Sequence, residues 1–138
     1  MKCVVDASVA VKWYVPEIFE TEAAKLQADG YELHAPDLIV PEFSSIVWKK
    51  ERKGEITQKE ATSILDAFTA TGLRIHSHKS TARSALVGAS MSGQTVYDWT
   101  YLALALSLSC SFVTADEKFY RSLQKTSIAK HLIWIADC

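Results

Sequence analysis

An α/β domain on a mostly parallel sheet is the fold class this sequence predicts, on two observations. Short apolar or β-branched runs alternate along the chain with stretches long enough for helices, the order that buries a parallel sheet beneath helices on both faces. The length of 138 residues, with 49% hydrophobic and 22% charged side chains, suits one domain over 1–138 whose core needs no covalent staples. Disordered and fibrous classes do not have this composition. No internal repeat, low-complexity tract or Pro/Gly/Ser-rich linker divides the chain.

The elements follow in order. KCVVD (2–6) reads as the first strand. Helical stretches follow at about 8–14 and 17–28, with Asp29-Gly30 as a C-cap. ELHA (32–35) is the second strand. In DLIVPEFSSIVWKKERKG, apolar Leu38, Ile39, Phe43, Ile46 and Val47 recur at helical spacing up to Gly54. Pro41 is tolerated only in a first turn, which predicts a helix regular from Pro41 or Glu42 onward. Thr57 and Glu60 have capping-box spacing at the head of the next helix. LRIH (73–76), SFVT (111–114) and HLIWI (131–135) are further strands. Residues 79–91, 96–109 and DEKFYRSLQK supply the remaining helices.

In an open parallel sheet, ligands bind at the carboxyl ends of the strands. Asp6 ends the first strand there, and Asp116 follows the fourth. Glu42 lies early in the helix that leaves the second strand. The helix carrying Asp98 runs into the start of the fourth strand, so its N-terminal end must lie at the same rim. Singly, each acid also reads as a helix cap or a complement to the macrodipole. The coincidence of four on one rim, with no Lys or Arg among them, argues for chemistry. Clustered carboxylates raise one another's pKa and call for a cation. Oxygen donors without His or Cys suit Mg²⁺ or Mn²⁺, ions used to polarise phosphates and activate water. The four carboxylates are accordingly expected within metal-bridging reach of one another.

VVDASVAVKW (4–13), APDLIVPEF (35–43) and TVYDWTYLALALSLSCSFVTADEKF (95–119), in this order and spacing, resemble a PIN-domain ribonuclease. The resemblance runs over nearly the full length and is closest to a VapC-type toxin of a type II toxin–antitoxin pair. It implies a three-layer α/β/α PIN-like fold with a five-stranded parallel sheet, and Mg²⁺- or Mn²⁺-dependent hydrolysis of RNA phosphodiesters. By position, the family's acidic cluster falls on Asp6, Glu42, Asp98 and Asp116. The resemblance implies Asp6 and Asp98 as the most direct ligands, Glu42 as the residue that positions metal or water, and Asp116 as the fourth acid, often bound through water in the family. Ser8 and Thr114 match the small hydroxyl residues beside the cluster. Trp99 departs from the family pattern, which has a small residue after the third acid; its helical spacing favours a packed aromatic over one facing the groove.

The net charge of −1 provides no attractive field for RNA, so phosphate contacts must come from local cations. Lys118 and Arg121, one turn apart beyond Asp116, are the candidates nearest the rim. Lys49, Lys50, Arg52 and Lys53 could track a phosphate backbone, but their place in the last turns of a helix is simply read as a solvated, dipole-complementing face. The four histidines form no ligand set with the acids, and His76 and His78 read as surface residues. Trp13, Tyr14, Val15, Ile18 and Phe19 form an apolar cluster, read first as core and second as an antitoxin or second-subunit interface. The expected partners are RNA, a cognate antitoxin and a second copy in a homodimer. Three unpaired cysteines fit a reducing cytoplasm, and the longest apolar segment, 101–113, is too short for a membrane span.

The expected reaction is in-line attack of an activated water on phosphorus, leaving a 5′-phosphate and a 3′-hydroxyl. The alternatives are a PIN-like structure-specific nuclease and a catalytically weak RNA-binding module without a toxin role. An aspartyl phosphatase would want a second Asp where Ser8 stands.

Overall fold

The structure, a computed structural model, describes residues 1–28 and 30–138. The strands are β1 Lys2–Val5, β2 Glu32–Pro36, β3 Arg74–His76, β4 Ser111–Thr114 and β5 Leu132–Trp134. Around them lie α1 Ala7–Ala10, α2 Glu20–Lys25, α3 Ile39–Arg52, α4 Gln58–Thr69, α5 Ala82–Ser92, α6 Val96–Ser107 and α7 Glu117–Ser122. The sheet order is β3-β2-β1-β4-β5, and every pair is parallel. The chain winds outward from β1 to β3, then crosses back to β4 beside β1. The topological switch point therefore lies between β1 and β4, and the crevice at their carboxyl ends is where such a sheet places its ligand.

Strand β1 is central and buried on both faces: Cys3, Val4 and Val5 are all inaccessible to solvent, which explains its unbroken apolar run. Val4 lies opposite His34 on one side and Phe112 on the other. That face is covered by α6, in which Tyr101, Leu102, Ala103, Leu104 and Ala105 are buried. Cys3, Val5, Leu33 and Val113 belong to the opposite cluster, beneath Ala23 and Leu26 at α2 and Ile135 near the C-terminus. The result is the three-layer α/β/α arrangement, with α5 packed on α6.

Several boundaries differ from expectation for identifiable reasons. The stretch 8–14 divides into α1 and a 3₁₀ turn at Val11–Trp13. The helix expected over 17–28 is α2 alone, because Phe19 takes a left-handed backbone (φ 65°) that ends helical propagation on its N-terminal side. Glu17 anchors this turn by pairing with Lys12 at 3.0 Å and Lys50 at 2.8 Å. Of the expected C-cap, Asp29 lies outside the described residues and Gly30 is left-handed (φ 98°), beyond the end of α2. Helix α3 begins at Ile39, two residues before Pro41; a proline in the first turn loses no intrahelical bond, since its N–H would be unpaired anyway. Residues 78–81 are 3₁₀ before α5 begins. The capping box of α4 is present in both directions, Thr57 and Glu60 exchanging bonds of 3.1 Å, and Phe68 of α4 stacks on Phe43 of α3 with centroids 4.0 Å apart.

His34 is buried and His76 half-buried, unlike the surface placement expected for the latter. Nδ1 of His34 meets Nε2 of His76 at 2.8 Å, and His34 Nε2 meets Glu32 at 2.7 Å, a polar tie between β2 and edge strand β3. Among the described residues, no helix is long and apolar enough to cross a membrane.

Trp99 is packed, as its spacing predicts. It is 7% exposed, and its indole N–H donates to Ser92 Oγ at 2.7 Å. A Cβ on Gly88 of α5 would lie 2.2 Å from the ring, so the helix pair closes only over a glycine. Alanine ordinarily stabilises a helix interior by up to about 1 kcal/mol over glycine. Here the clash dominates, and Gly88→Ala is predicted to destabilise the fold by about 1–3 kcal/mol, with Trp99→Leu in the same chain restoring much of the loss, as measured by urea denaturation.

Candidate active site

The carboxyl ends of β1 and β4 are joined through one carboxylate. Asp6 caps α1, its Oδ1 accepting from the Val9 amide at 3.1 Å and from Ser8 Oγ at 2.5 Å. Its Oδ2 accepts from Thr114 Oγ1 at 2.6 Å. Both hydroxyls also accept: Ser8 from the Ala115 amide at 3.3 Å, and Thr114 from the Asp116 amide at 3.0 Å. The capping role and the site role thus coincide in Asp6, and Ser8 and Thr114 are its immediate supports.

The other acids stand at helix starts around this point. Glu42 is in the first turn of α3, with Oε1 accepting from the Tyr101 hydroxyl at 3.0 Å. Asp98 is in the first turn of α6; its Oδ2 accepts from Thr95 Oγ1 at 3.0 Å while its own amide donates to the same oxygen at 3.1 Å. Asp116 caps α7 through the Phe119 amide at 3.0 Å.

Their charges reach one another. Burial above all, then the charge of Asp116, pushes Asp6 up to about 6, although bonds from Ser8, Thr114 and Val9 pull it down. Burial likewise raises Glu42, with Asp6 and Asp98 adding repulsion. Asp98 is raised by burial and by Asp116, and lowered by its Thr95 bond and by Lys118. Asp6 and Asp116 follow β1 and β4, and Glu42 and Asp98 stand in the first turns of α3 and α6, so the four sequence-selected acids lie around one rim.

They do not form a ligand set as they stand. Among the described residues, no three His, Cys, Asp or Glu side chains are grouped closely enough to hold a metal ion. The expectation of metal-bridging reach is not met in this arrangement, and the reason is visible: each carboxylate turns to a donor of its own, as like charges in a poorly solvated rim will. In donor chemistry the carboxylate and hydroxyl oxygens of this rim suit a hard divalent cation. Glu42 and Asp98 are each held by one side-chain hydroxyl, whereas Asp6 accepts three bonds.

Of the cations, Lys118 is the one whose charge reaches Asp98. Arg121 is paired with Glu117 across one turn of α7, which neutralises part of its pull on phosphate.

With this geometry, the matches to known proteins are specific. The PIN domain family model matches residues 3–122. The chain belongs to the PIN-domain family. It is 34% identical over 120 residues to Ribonuclease VapC3 of Pyrobaculum aerophilum, covering 86% of this chain and 92% of that one. The structure of PAE2754 from the same organism superposes with a TM-score of 0.70 at 20% identity, over 99% of this chain and 90% of the other. VapBC2 of Rickettsia felis, solved with a DNA fragment from its promoter, gives 0.63 at 16% identity over 97% of each chain. These two likenesses bear on the fold, which is that of a PIN domain.

Two residues of this PIN rim were not singled out from the sequence. Thr95 carried a signal, since Thr-x-x-Asp before an apolar run is a helix-start pattern. Tyr101, one turn beyond Asp98, did not: an aromatic in an apolar helix reads as core, and Tyr101 is indeed buried and stacked on Phe112 at 5.6 Å. Only the fold shows its hydroxyl on Glu42.

A carboxyl raised in the folded state stabilises while protonated, so the contribution is fully present below about pH 4 and lost as pH rises through about 6. In the presence of chelator, Asp6→Asn, which keeps a good cap, is predicted to be more stable than wild type at pH 7.5 by on the order of 2 kcal/mol. The difference should vanish near pH 4 when the two are compared by chemical denaturation.

Proposed function

We propose that this PIN-domain protein is a metal-dependent endoribonuclease and the toxin of a toxin–antitoxin pair. The observation that carries the reading is the gathering of Asp6, Glu42, Asp98 and Asp116 around the β1/β4 switch point, three of them partly or fully buried. Its likeness to a ribonuclease, VapC3, over most of both chains supports the substrate class. Asp6, Asp98, Glu42 and Asp116 would hold Mg²⁺ or Mn²⁺, and the ion would supply a water of lowered pKa and polarise the phosphate. The protein's own groups do the rest. Ser8 and Thr114 fix the Asp6 carboxylate, Tyr101 fixes Glu42 to orient the attacking water, and Lys118 with Arg121 binds phosphate oxygens. Water's oxygen bonds to phosphorus, the bond to the 3′ oxygen breaks, and the products are a 5′-phosphate and a 3′-hydroxyl.

Surface features support the proposed partners. Helix α5 exposes Leu86, Val87 and Met91, next to exposed Val96 and Tyr97, an apolar area suited to a second copy in a homodimer. Trp13, Tyr14, Val15 and Phe19 of the early cluster pack against the core, and Ile18 is left exposed. Ile18 and Phe19 line a groove with Tyr120 and Trp134, near Asp116, which we assign to the antitoxin. We place the protein in the cytoplasm, where its thiols Cys3, Cys110 and Cys138 stay reduced and free.

With Mg²⁺ or Mn²⁺ the wild type should cleave single-stranded or looped RNA, and Asp6→Asn and Asp98→Asn should each lose roughly two orders of magnitude or more in kcat. A wild type that cleaves no RNA, or variants that cleave as well as it does, defeats the reading. Tyr101→Phe, which keeps the ring and removes the bond to Glu42, should lower kcat by about tenfold with little change in KM.

A further inference from the structure

We propose that the C-terminal half of α3 is a second RNA-contacting surface, in which Lys49 and Lys53 hold phosphates and Trp48 with Arg52 stacks an unpaired base of the strand entering the site. The inference rests on the ribonuclease reading and adds the route of the substrate.

The catalytic rim is a poor place for an RNA to gain affinity. It gathers four acids, and the net charge of the chain is −1, so attraction must come from outside the acid ring. Helix α3 connects that rim to a cationic surface. Glu42 is in its first turn, and Lys49, Lys50 and Arg52 are in its last. At 100° per residue, Lys49 and Lys53 fall within about 20° of Glu42 around the axis, with Arg52 and then Trp48 on the flank. At ~1.5 Å per residue the two lysines lie about 10 and 17 Å beyond Glu42 along the helix, roughly three to five stacked nucleotides at ~3.4 Å each.

The cluster is not equivalent to an ordinary solvated helix end. Lys50 is consumed internally by Glu17 and Glu55, at 2.8 and 3.6 Å. Among the described residues, Lys49, Arg52 and Lys53 have no acidic partner within ion-pair distance, although they line one recess together. Glu51, the acid nearest in sequence, falls opposite Glu42 and the two lysines, and lines a separate recess with Trp48 on the flank. Trp48 is 49% exposed, and the Arg52 guanidinium sits over its ring, 5.1 Å from the centroid. A half-exposed indole with a cation on its face and free lysines beside it has the chemistry of a single-strand platform: the aromatic accepts any base, and the lysines follow the backbone.

The test is binding of a 12-nucleotide single-stranded RNA by fluorescence anisotropy without divalent metal, together with cleavage kinetics with it. Lys49→Gln/Lys53→Gln should raise Kd and KM about tenfold with kcat little changed, and reduce the salt slope of log Kd by about 1.4. Trp48→Ala should weaken binding about tenfold, and Trp48→Phe should retain most of the affinity. The losses should grow with RNA length up to the span of the patch. Lys125→Gln/Lys130→Gln, which removes two charges near the C-terminus and away from α3, should change none of these values. A wild type that cleaves RNA while the patch variants bind like it overturns the inference and leaves the ribonuclease reading intact. A wild type that binds RNA through the patch yet cleaves none defeats the ribonuclease reading instead. Competition by polyglutamate as effective as by RNA of equal charge would assign the surface to an acidic protein segment and overturn the proposal.

Discussion

The Asp6 carboxylate is the point on which the rest of this structure turns. It sits between the ends of β1 and β4, buried, accepting from the Val9 amide and from the hydroxyls of Ser8 and Thr114. Those three bonds cap α1, tie two strands at the switch point and fix one acid in a rim shared with three more. A buried carboxylate with a well-filled hydrogen-bond shell would ordinarily be held below its usual pKa. Here burial and the charge of Asp116 outweigh the donors and push it up to about 6. The fold therefore stores an unfavourable charge where a hard cation would relieve it, a common expense of a preorganised site.

That constraint explains the supports around it. Ser8 and Thr114 are small enough to reach the carboxylate and polar enough to satisfy it. Tyr101 and Thr95 give Glu42 and Asp98 one side-chain partner each, against the three bonds that hold Asp6. The long apolar helix α6 gives this rim its rigidity. It is pinned on the sheet by Leu102 and Leu104 and closed against α5 by the Trp99 ring over Gly88. Trp99 directly follows Asp98 and is two residues before Tyr101, so the packing of its ring sets the placement of both on the same helix.

Much of this was legible in the residues. Strand and helix alternation predicts the parallel sheet, the β-branched run before Asp6 predicts the central strand, and topology alone brings the four acids to one rim. What escaped has physical reasons. The early helices are short because Phe19 is left-handed and Glu17 anchors a turn through Lys12 and Lys50, contacts made across the fold. Tyr101 was hidden because an aromatic in an apolar stretch carries no mark of where its hydroxyl points. The lysines of α3 look like a solvated helix end until the fold shows that Lys50 has acidic partners and that, among the described residues, Lys49, Arg52 and Lys53 have none. The carboxylates themselves were foreseen at the right rim but in a tighter cluster than they adopt, since sequence position says nothing of which donor each side chain turns to.

The most direct measurement of the central claim is proton release on metal binding, followed by calorimetry of Mn²⁺ titration in buffers of different ionisation enthalpy. If crowded, buried carboxylates await a cation, Mn²⁺ binding at pH 6 should release about half a proton from Asp6, with any further release from Glu42 and Asp98 adding to it, and the release should fall toward zero by pH 8. Binding with no release at pH 6, or no binding at either pH, would contradict the account.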